Sequence, residues 1–465
     1  MRWRPFTRFF CLLLAMVLML SSVGCGTKKD LRRRDEGEQK TWQGVITLWD
    51  FPRWEDENGN RYGWIERKIA EFEKSHPGVF IHLRKLKWEY GMLELRAAAS
   101  TGTNPDIAPV AGDIDFILQG YLEPVDEFFT PEELKRYDER VLKALSHNGR
   151  LYGFPWFITT YGLFLNADAF RSRNARIPTD GEWSYQEFVE ALQKLTYDKN
   201  RDRKHDYFGF NSFLYPGSYQ MWGFLTMDGA RLFDENGRFV LNSPEGKSAL
   251  TKIVDLSAKY RVVPEDFGTG DEKQVWSDFI ETKKIAVCPA GPWAIKILEE
   301  KQRQGKGFEF EIARYPSGSS KAKSIAFASG YAIFKQQDPG KRAMCAEFLK
   351  FITSEREQEE LMKYGVFPAI KDLQEKASED RHMKRMKEIL DDAEFLPKIR
   401  NFTKVDEIIT TQVRQAILGR KTPAQALDDA AEEIGKLQEG SMQNSNKIGD
   451  SNKEPAIIGP YGVGE

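Results

Sequence analysis

Apolar residues arrive in short blocks, and helical repeats lie between the blocks. Val45, Ile46, Leu48, Trp49 and Phe51 form the first block. A block this short, bounded by turn-forming residues, reads as a buried strand. Ile65, Ile69 and Phe72 follow at helical spacing, and His76-Pro77-Gly78 stops that helix. Residues 79–83 read as a second strand and 91–100 as a second helix with an alanine-rich face. Thr101-Gly102-Thr103-Asn104-Pro105-Asp106 is a loop by composition, and 107–110 reads as a third strand. Strands that alternate with helices predict a βαβαβ unit and a mostly parallel sheet. In open α/β sheets, ligands bind just past the carboxyl ends of the strands. That rule puts Trp49, Asp50 and Trp54 at the mouth of a cleft. On this stretch alone, Trp49 and Phe51 as core with Asp50 capping a turn is an equally simple reading.

The pattern repeats further on. Ser184 and Glu187 in Trp183-Ser184-Tyr185-Gln186-Glu187-Phe188 form a capping box that opens a helix. Phe208-Gly209-Phe210 starts a strand, Asn242-Ser243-Pro244 opens a capped helix, and 285–288 is apolar up to Pro289. Val405, Ile408, Ile409, Val413, Ala416 and Ile417 share one helical face. Thr422-Pro423-Ala424-Gln425 is another capping box, with Pro at the first helical position. From Ser441 the chain is polar and predicted to be a mobile tail.

The amino terminus differs. Basic residues precede an apolar run over 9–20, which is shorter than the roughly twenty residues a spanning helix needs. This is an export signal. Its ending, Ser21-Ser22-Val23-Gly24-Cys25, resembles the bacterial lipobox, with Ser22 in place of the usual Leu. The resemblance implies cleavage before Cys25 and diacylglycerol and acyl chains, palmitate among them, on that residue. Residues 25–43 read as a flexible tether that spans roughly 20–25 Å. Cys288 and Cys345 remain in the body, either paired or as two buried thiols.

Several stretches together resemble the ABC-transporter family 1 extracellular solute-binding proteins, the maltose-binding-protein-like group. They are Gly120-Tyr121-Leu122-Glu123-Pro124-Val125-Asp126, Leu151-Tyr152-Gly153-Phe154-Pro155-Trp156 and the strand Leu163-Phe164-Leu165-Asn166-Ala167-Asp168-Ala169-Phe170. Gly291-Pro292-Trp293-Ala294 matches the family's G-P-W-A, although Thr282 and Val287 replace the usual Gly and Met just before it. Ile325 to Ile333 and Tyr364-Gly365-Val366-Phe367-Pro368-Ala369 resemble its second and third lobe crossings. The resemblance implies an α/β, two-lobed periplasmic-binding-protein-like fold (type II), with mixed sheets flanked by helices and a hinge between the lobes. The expected boundaries are 1–24 signal, 25–43 tether, 44–165 and 328–370 first lobe, 166–327 and 371–438 second lobe, and 439–465 tail.

Composition narrows the chemistry. With 465 residues and 41% hydrophobic content the chain can bury more than one core, and a formal charge of −2 gives no basic footprint for nucleic acid. The five histidines have no metal-ligand spacing in the sequence. Catalytic signatures such as G-x-S-x-G, H-E-x-x-H and Walker A are missing. Asp198, Asn200, Asp202 and Asp206 have calcium-loop spacing, but Arg203 stands where that loop wants Gly. A solvated turn is the first reading there, and calcium the second.

A sugar presents hydroxyl groups and flat C–H faces, which planar polar groups and aromatic rings can hold. The candidates are Trp49, Asp50, Trp54, Asp106, Asp113, Trp156, Tyr161, Trp222, Trp276, Gly291, Trp293 and Tyr331. Trp64, Trp88 and Trp183 are assigned to packing on helices. The expectation is a non-enzymatic, lipid-anchored substrate-binding subunit on the extracytoplasmic face of the cell membrane. It is a monomer without cofactor that takes a carbohydrate to ABC permease subunits served by a separate ATPase. The alternatives are the binding module of a sensor system or an exported polysaccharide-active enzyme.

Overall fold

The computed structural model describes residues 42–54 and 59–451, with side chains to residue 439. The signal, Cys25 and most of the tether lie outside the described residues. From Gln43 onward the chain is one compact unit. Its strands, in chain order, are β1 Gly44–Asp50, β2 Val79–Lys85, β3 Ile107–Ala108, β4 Ser146–His147, β5 Arg150–Leu151, β6 Phe154–Thr159 and β7 Gly162–Asn166. They continue with β8 Phe208–Phe210, β9 Ile285–Ala290, β10 Phe310–Ala313, β11 Ile325–Ile333, β12 Phe367–Pro368 and β13 Glu394–Phe395.

The first lobe is built on a sheet of order β12-β6-β11-β3-β1-β2, with β13 beside the start of β11. β1 runs parallel to β2 and β3, while β11 runs antiparallel to β3 and β6. β11 shifts register between Ser329 and Gly330. A Cβ on Gly330 would stand 2.8 Å from the Phe154 carbonyl oxygen, so only glycine lets the two strands approach there. The helix Gly63–Ser75 buries Trp64, Ile65, Lys68, Ile69 and Phe72, the i, i+4 stripe the sequence shows. Lys68 enters that stripe with its charge intact. Its Nζ lies 2.7 Å from Glu357 and 2.9 Å from Glu360, which fastens this helix to Glu355–Leu361.

The second lobe carries a sheet of order β10-β7-β9-β8. Its core gathers Leu163, Phe188, Phe210, Trp222, Phe224 and Val287. The capping box at Ser184 and Glu187 forms as the sequence predicts. β7 belongs to this sheet, pairing with β9 and β10. The chain therefore crosses at Thr160-Tyr161, before residue 162 rather than after 165. The crossing strands are knotted together there. Ser324 Oγ donates to the Tyr161 carbonyl at 2.7 Å and accepts from Thr160 Oγ1 at 2.9 Å, and Thr160 Oγ1 lies 3.1 Å from the Ile325 carbonyl. The helix Pro423–Ser451 continues past 438, where the sequence reading placed a mobile tail. Cys288 and Cys345 are both free and buried, on β9 and on the helix Pro339–Ile352.

Candidate functional site

Successive residues of a strand point to opposite faces. Trp49 takes one face of β1, where the Arg84 guanidinium lies 4.0 Å from its ring. Asp50 takes the other and is 1% exposed. Its Oδ2 accepts from Tyr331 Oη at 2.7 Å, and its Oδ1 from Phe51 N at 2.8 Å and Arg53 Nη2 at 3.4 Å. Burial pushes this carboxyl pKa up, while Arg53 and the Tyr331 hydroxyl oppose the rise. The Arg53 guanidinium in turn sits 4.7 Å from the Trp156 ring, 5.5 Å from Phe157 and 5.6 Å from Trp88. Trp54 stacks on Tyr364 at 5.2 Å and meets Trp156 edge-on at 5.4 Å. This makes the first wall: a buried carboxylate, an aromatic-clad guanidinium above it, and the partly exposed rings of Trp54, Tyr364 and Trp88.

The second wall belongs to the other lobe and its crossings. Tyr219 stacks on Phe327 at 4.5 Å, with Phe402 at 6.0 Å and Tyr161 beside Phe327 at 6.5 Å. All four rings are partly exposed. Tyr215 Oη donates to Glu272 at 2.6 Å. Trp276 and Trp293 meet at 5.0 Å. Beneath Tyr219 lies Asp406, 2% exposed, whose Oδ2 accepts from Gly217 N at 2.5 Å and whose Oδ1 accepts from Thr410 Oγ1 at 3.3 Å. Burial pushes its pKa up to about 7, against the hydrogen bonds from Gly217, Thr410 and Tyr219.

Burial raises the Tyr215 and Tyr219 phenol pKa values first, yet Glu89 of the first lobe adds to Tyr215 and Asp113 adds to Tyr219. Asp113 itself caps the helix Ile114–Leu118 and is held by Arg96 at 2.6 Å. Arg96 also reaches Thr403 at 3.3 Å, and Asp115 accepts from Asn401 N at 2.8 Å, so this corner joins the lobes directly. Gly291 and Pro292 lie at a further junction. Gly365, at φ 69°, has the Pro292 carbonyl 2.6 Å from where a Cβ would stand.

Several predicted residues stand elsewhere. Trp156, Trp222 and Tyr331 are fully buried, so they support the walls from behind and offer a ligand no surface. Asp106 is spent on the fold: both oxygens are engaged, by Thr47 N at 2.7 Å and by Gln336 at 3.0 Å and Lys341 at 2.8 Å. Around 198–206 the carboxylates turn onto their own backbone. Asp198 accepts from Arg201 N and Arg203 N, and Asp206 from Lys199 N and Asn200 N. Trp88 does not pack on a helix. It precedes Gly91–Thr101, is 45% exposed and stacks on Phe51 at 4.4 Å.

Arg53, Trp88, Tyr219, Tyr364 and Asp406 are among the residues the sequence reading left out. Arg53 adjoins Trp54, and Tyr219 lies in a visible aromatic run, so both carried a signal. Asp406 carried none, since one acid in an amphipathic helix looks solvated. Two surface concavities, of about 180 Å³ around Glu133 and about 320 Å³ around Tyr197, share no residue with either wall.

Comparison with known proteins gives a consistent answer. The profile of the family described as bacterial extracellular solute-binding protein matches residues 68–385. The arabinooligosaccharide-binding protein of Bacillus subtilis is 23% identical, over 91% of this chain and 98% of that protein. Among solved structures, the maltose/maltodextrin-binding domain of Bdellovibrio bacteriovorus bound to maltotriose superposes with a TM-score of 0.72. It is 19% identical and covers 85% of this chain and 100% of that one. An ABC substrate-binding protein of Listeria monocytogenes in complex with cycloalternan gives 0.71 at 18% identity, covering 85% and 99%. The structural likenesses show the fold. No helix among the described residues is long and apolar enough to cross a membrane.

Proposed function

The chain belongs to the bacterial extracellular solute-binding proteins, and from that premise we propose that it captures a neutral oligosaccharide between its lobes for an ABC permease. One observation carries the choice of ligand. Both lobes carry partly exposed rings with carboxylates near them: Trp54, Trp88 and Tyr364 on one lobe, Tyr161, Tyr219, Trp276 and Trp293 on the other. Rings pack on the C–H faces of a sugar, and Asp113, Glu89 and Glu272 accept from its hydroxyls. The Nε1 of Trp276 and the Nε of Arg53 are buried without a hydrogen-bond partner. Such donors await an acceptor, which a sugar oxygen supplies. Anions are disfavoured, because Arg53 is already committed to Asp50.

Closure about the Thr160–Ser324 knot hides the ligand and completes the surface that meets the permease, the hinge mode of this fold. The bound sugar is carried and left chemically unchanged. Lipid on Cys25 holds the monomeric protein on the extracytoplasmic face, and two signals of that kind anchor firmly. The ATPase is a separate chain. The relatives named for arabino-oligosaccharide and maltotriose support a ligand of several sugar units.

A thermal-shift screen of the purified body against mono- and oligosaccharides tests this reading. A ligand at a hundred times its Kd stabilises by about 2.7 kcal/mol. A melt that moves with a peptide, polyamine or metal and with no sugar contradicts the carbohydrate assignment.

A further inference from the structure

Away from the walls, the second lobe brings Glu299, Asp380 and His382 together, with one donor atom from each within 4.8 Å of the others. Glu299 lies on the helix Trp293–Arg303. Asp380 caps the helix Arg381–Asp391, and His382 is in its first turn. His382 is 7% exposed, and its ring stacks on Phe310 at 4.0 Å. Its Nε2 lies 3.2 Å from the Phe310 carbonyl oxygen. A carbonyl only accepts, so Nε2 carries the proton and Nδ1 the lone pair. Among the described residues, nothing hydrogen-bonds Nδ1.

Each carboxylate also keeps one oxygen free. Asp380 Oδ1 accepts from the backbone of His382 and Met383, both at 2.9 Å, and Oδ2 has no partner among the described residues. Glu299 Oε2 holds Lys296 Nζ at 2.9 Å, and Oε1 has no partner among the described residues. The other neighbouring cation, Arg381, is engaged by Glu311 at 2.9 Å. One donor atom of each residue thus lies within 4.8 Å of the others, and each residue keeps an acceptor with no partner among the described residues. A cation can bridge three such acceptors.

We propose that Glu299, Asp380 and His382 form a binding site for a divalent first-row transition ion. An imidazole with two carboxylates is an N/O donor set that zinc and manganese accept. A metal-bound His typically donates its other ring N–H to a carbonyl or carboxylate, and the Phe310 carbonyl fills that part. Bond lengths of about 2.0–2.2 Å place tetrahedral ligands about 3.5 Å apart, so binding draws the three donors together. The ion clamps the helix that begins at Trp293 to the cap of the helix Arg381–Asp391.

Zinc is the probe. Chelator-treated full chain is titrated with zinc chloride by calorimetry and melted in parallel. Glu299→Gln and Asp380→Asn, which keeps the capping oxygen, are treated alike. The expected result is one zinc per chain, a zinc-dependent rise in Tm, and affinity reduced about tenfold or more in each variant. Both variants should melt like the parent in chelator. No saturable zinc binding, or unchanged affinity in the variants, overturns the assignment. Should one variant not fold, the other decides by the same criterion.

Discussion

At the scale of single residues, Trp49 and Asp50 show how one step along a strand separates two roles. Trp49 lies under Arg84, while Asp50 is drawn inward by Tyr331 and Arg53. The sequence marks both as strand-end residues, but the alternation alone does not say which turns toward the neighbouring strands. The answer comes from Tyr331, 281 positions away. Asp406 was hidden for the same reason, because its neighbours Gly217 and Tyr219 are remote in sequence. Its titration is testable. A carboxyl raised in the fold favours the protonated state, so its contribution is full below the unfolded value of 3.8 and is lost as pH rises through about 7. The difference amounts to at most about 4 kcal/mol, at 1.36 kcal/mol per pKa unit. Asp406→Asn should flatten the fall in Tm between about pH 4 and pH 7 relative to the parent, with the two melts converging in acid. Parallel profiles would mean Asp406 does not titrate in that window. Trp222 and Trp293 separate support from contact. Trp222→Ala should cost about 3–5 kcal/mol of stability by urea unfolding, whereas Trp293→Ala should unfold like the parent and lose sugar binding.

At the scale of elements, local signals were legible wherever the physics is local. The boxes at Ser184 and Thr422 close as the residues dictate. The helix Gly63–Ser75 ends at the His76-Pro77-Gly78 stop. The crossing was less legible, because β6 and β7 read as a nearly continuous apolar stretch broken at Thr159-Thr160-Tyr161. A strand that changes sheets keeps its periodicity, so nothing in the pattern marks the switch before residue 162. The hydroxyl knot of Thr160 and Ser324 marks it in the structure. The Lys68 pairing was equally unreadable, since a lysine in an apolar stripe has no visible partner 289 and 292 positions on. Removing a partner from a buried pair costs about 3–5 kcal/mol. Lys68→Ala should therefore lower the urea midpoint sharply, and Lys68→Ala with Glu357→Gln should recover part of the loss. Equal midpoints for parent and Lys68→Ala would show that the pair contributes nothing.

At the scale of the whole molecule, the two sheets and the segments that pass between them account for the two aromatic walls. On the proposed reading, neither lobe holds a complete site. Trp54, Tyr364 and Trp88 come with one sheet, and Tyr219, Trp276 and Trp293 with the other. The two-lobed fold was legible because many degenerate motifs fall in one order along the chain. The composition of the walls was not, because it depends on which strand ends the hinge brings opposite one another. The direct measurement is calorimetric titration of the best sugar from the screen into the parent, Trp54→Ala and Tyr219→Ala. Capture between the lobes predicts one site per chain and a loss of about tenfold or more in each variant, although the two residues sit on different lobes. Affinity that falls in only one variant would place the sugar on a single lobe, and affinity unchanged in both would remove it from the gap altogether.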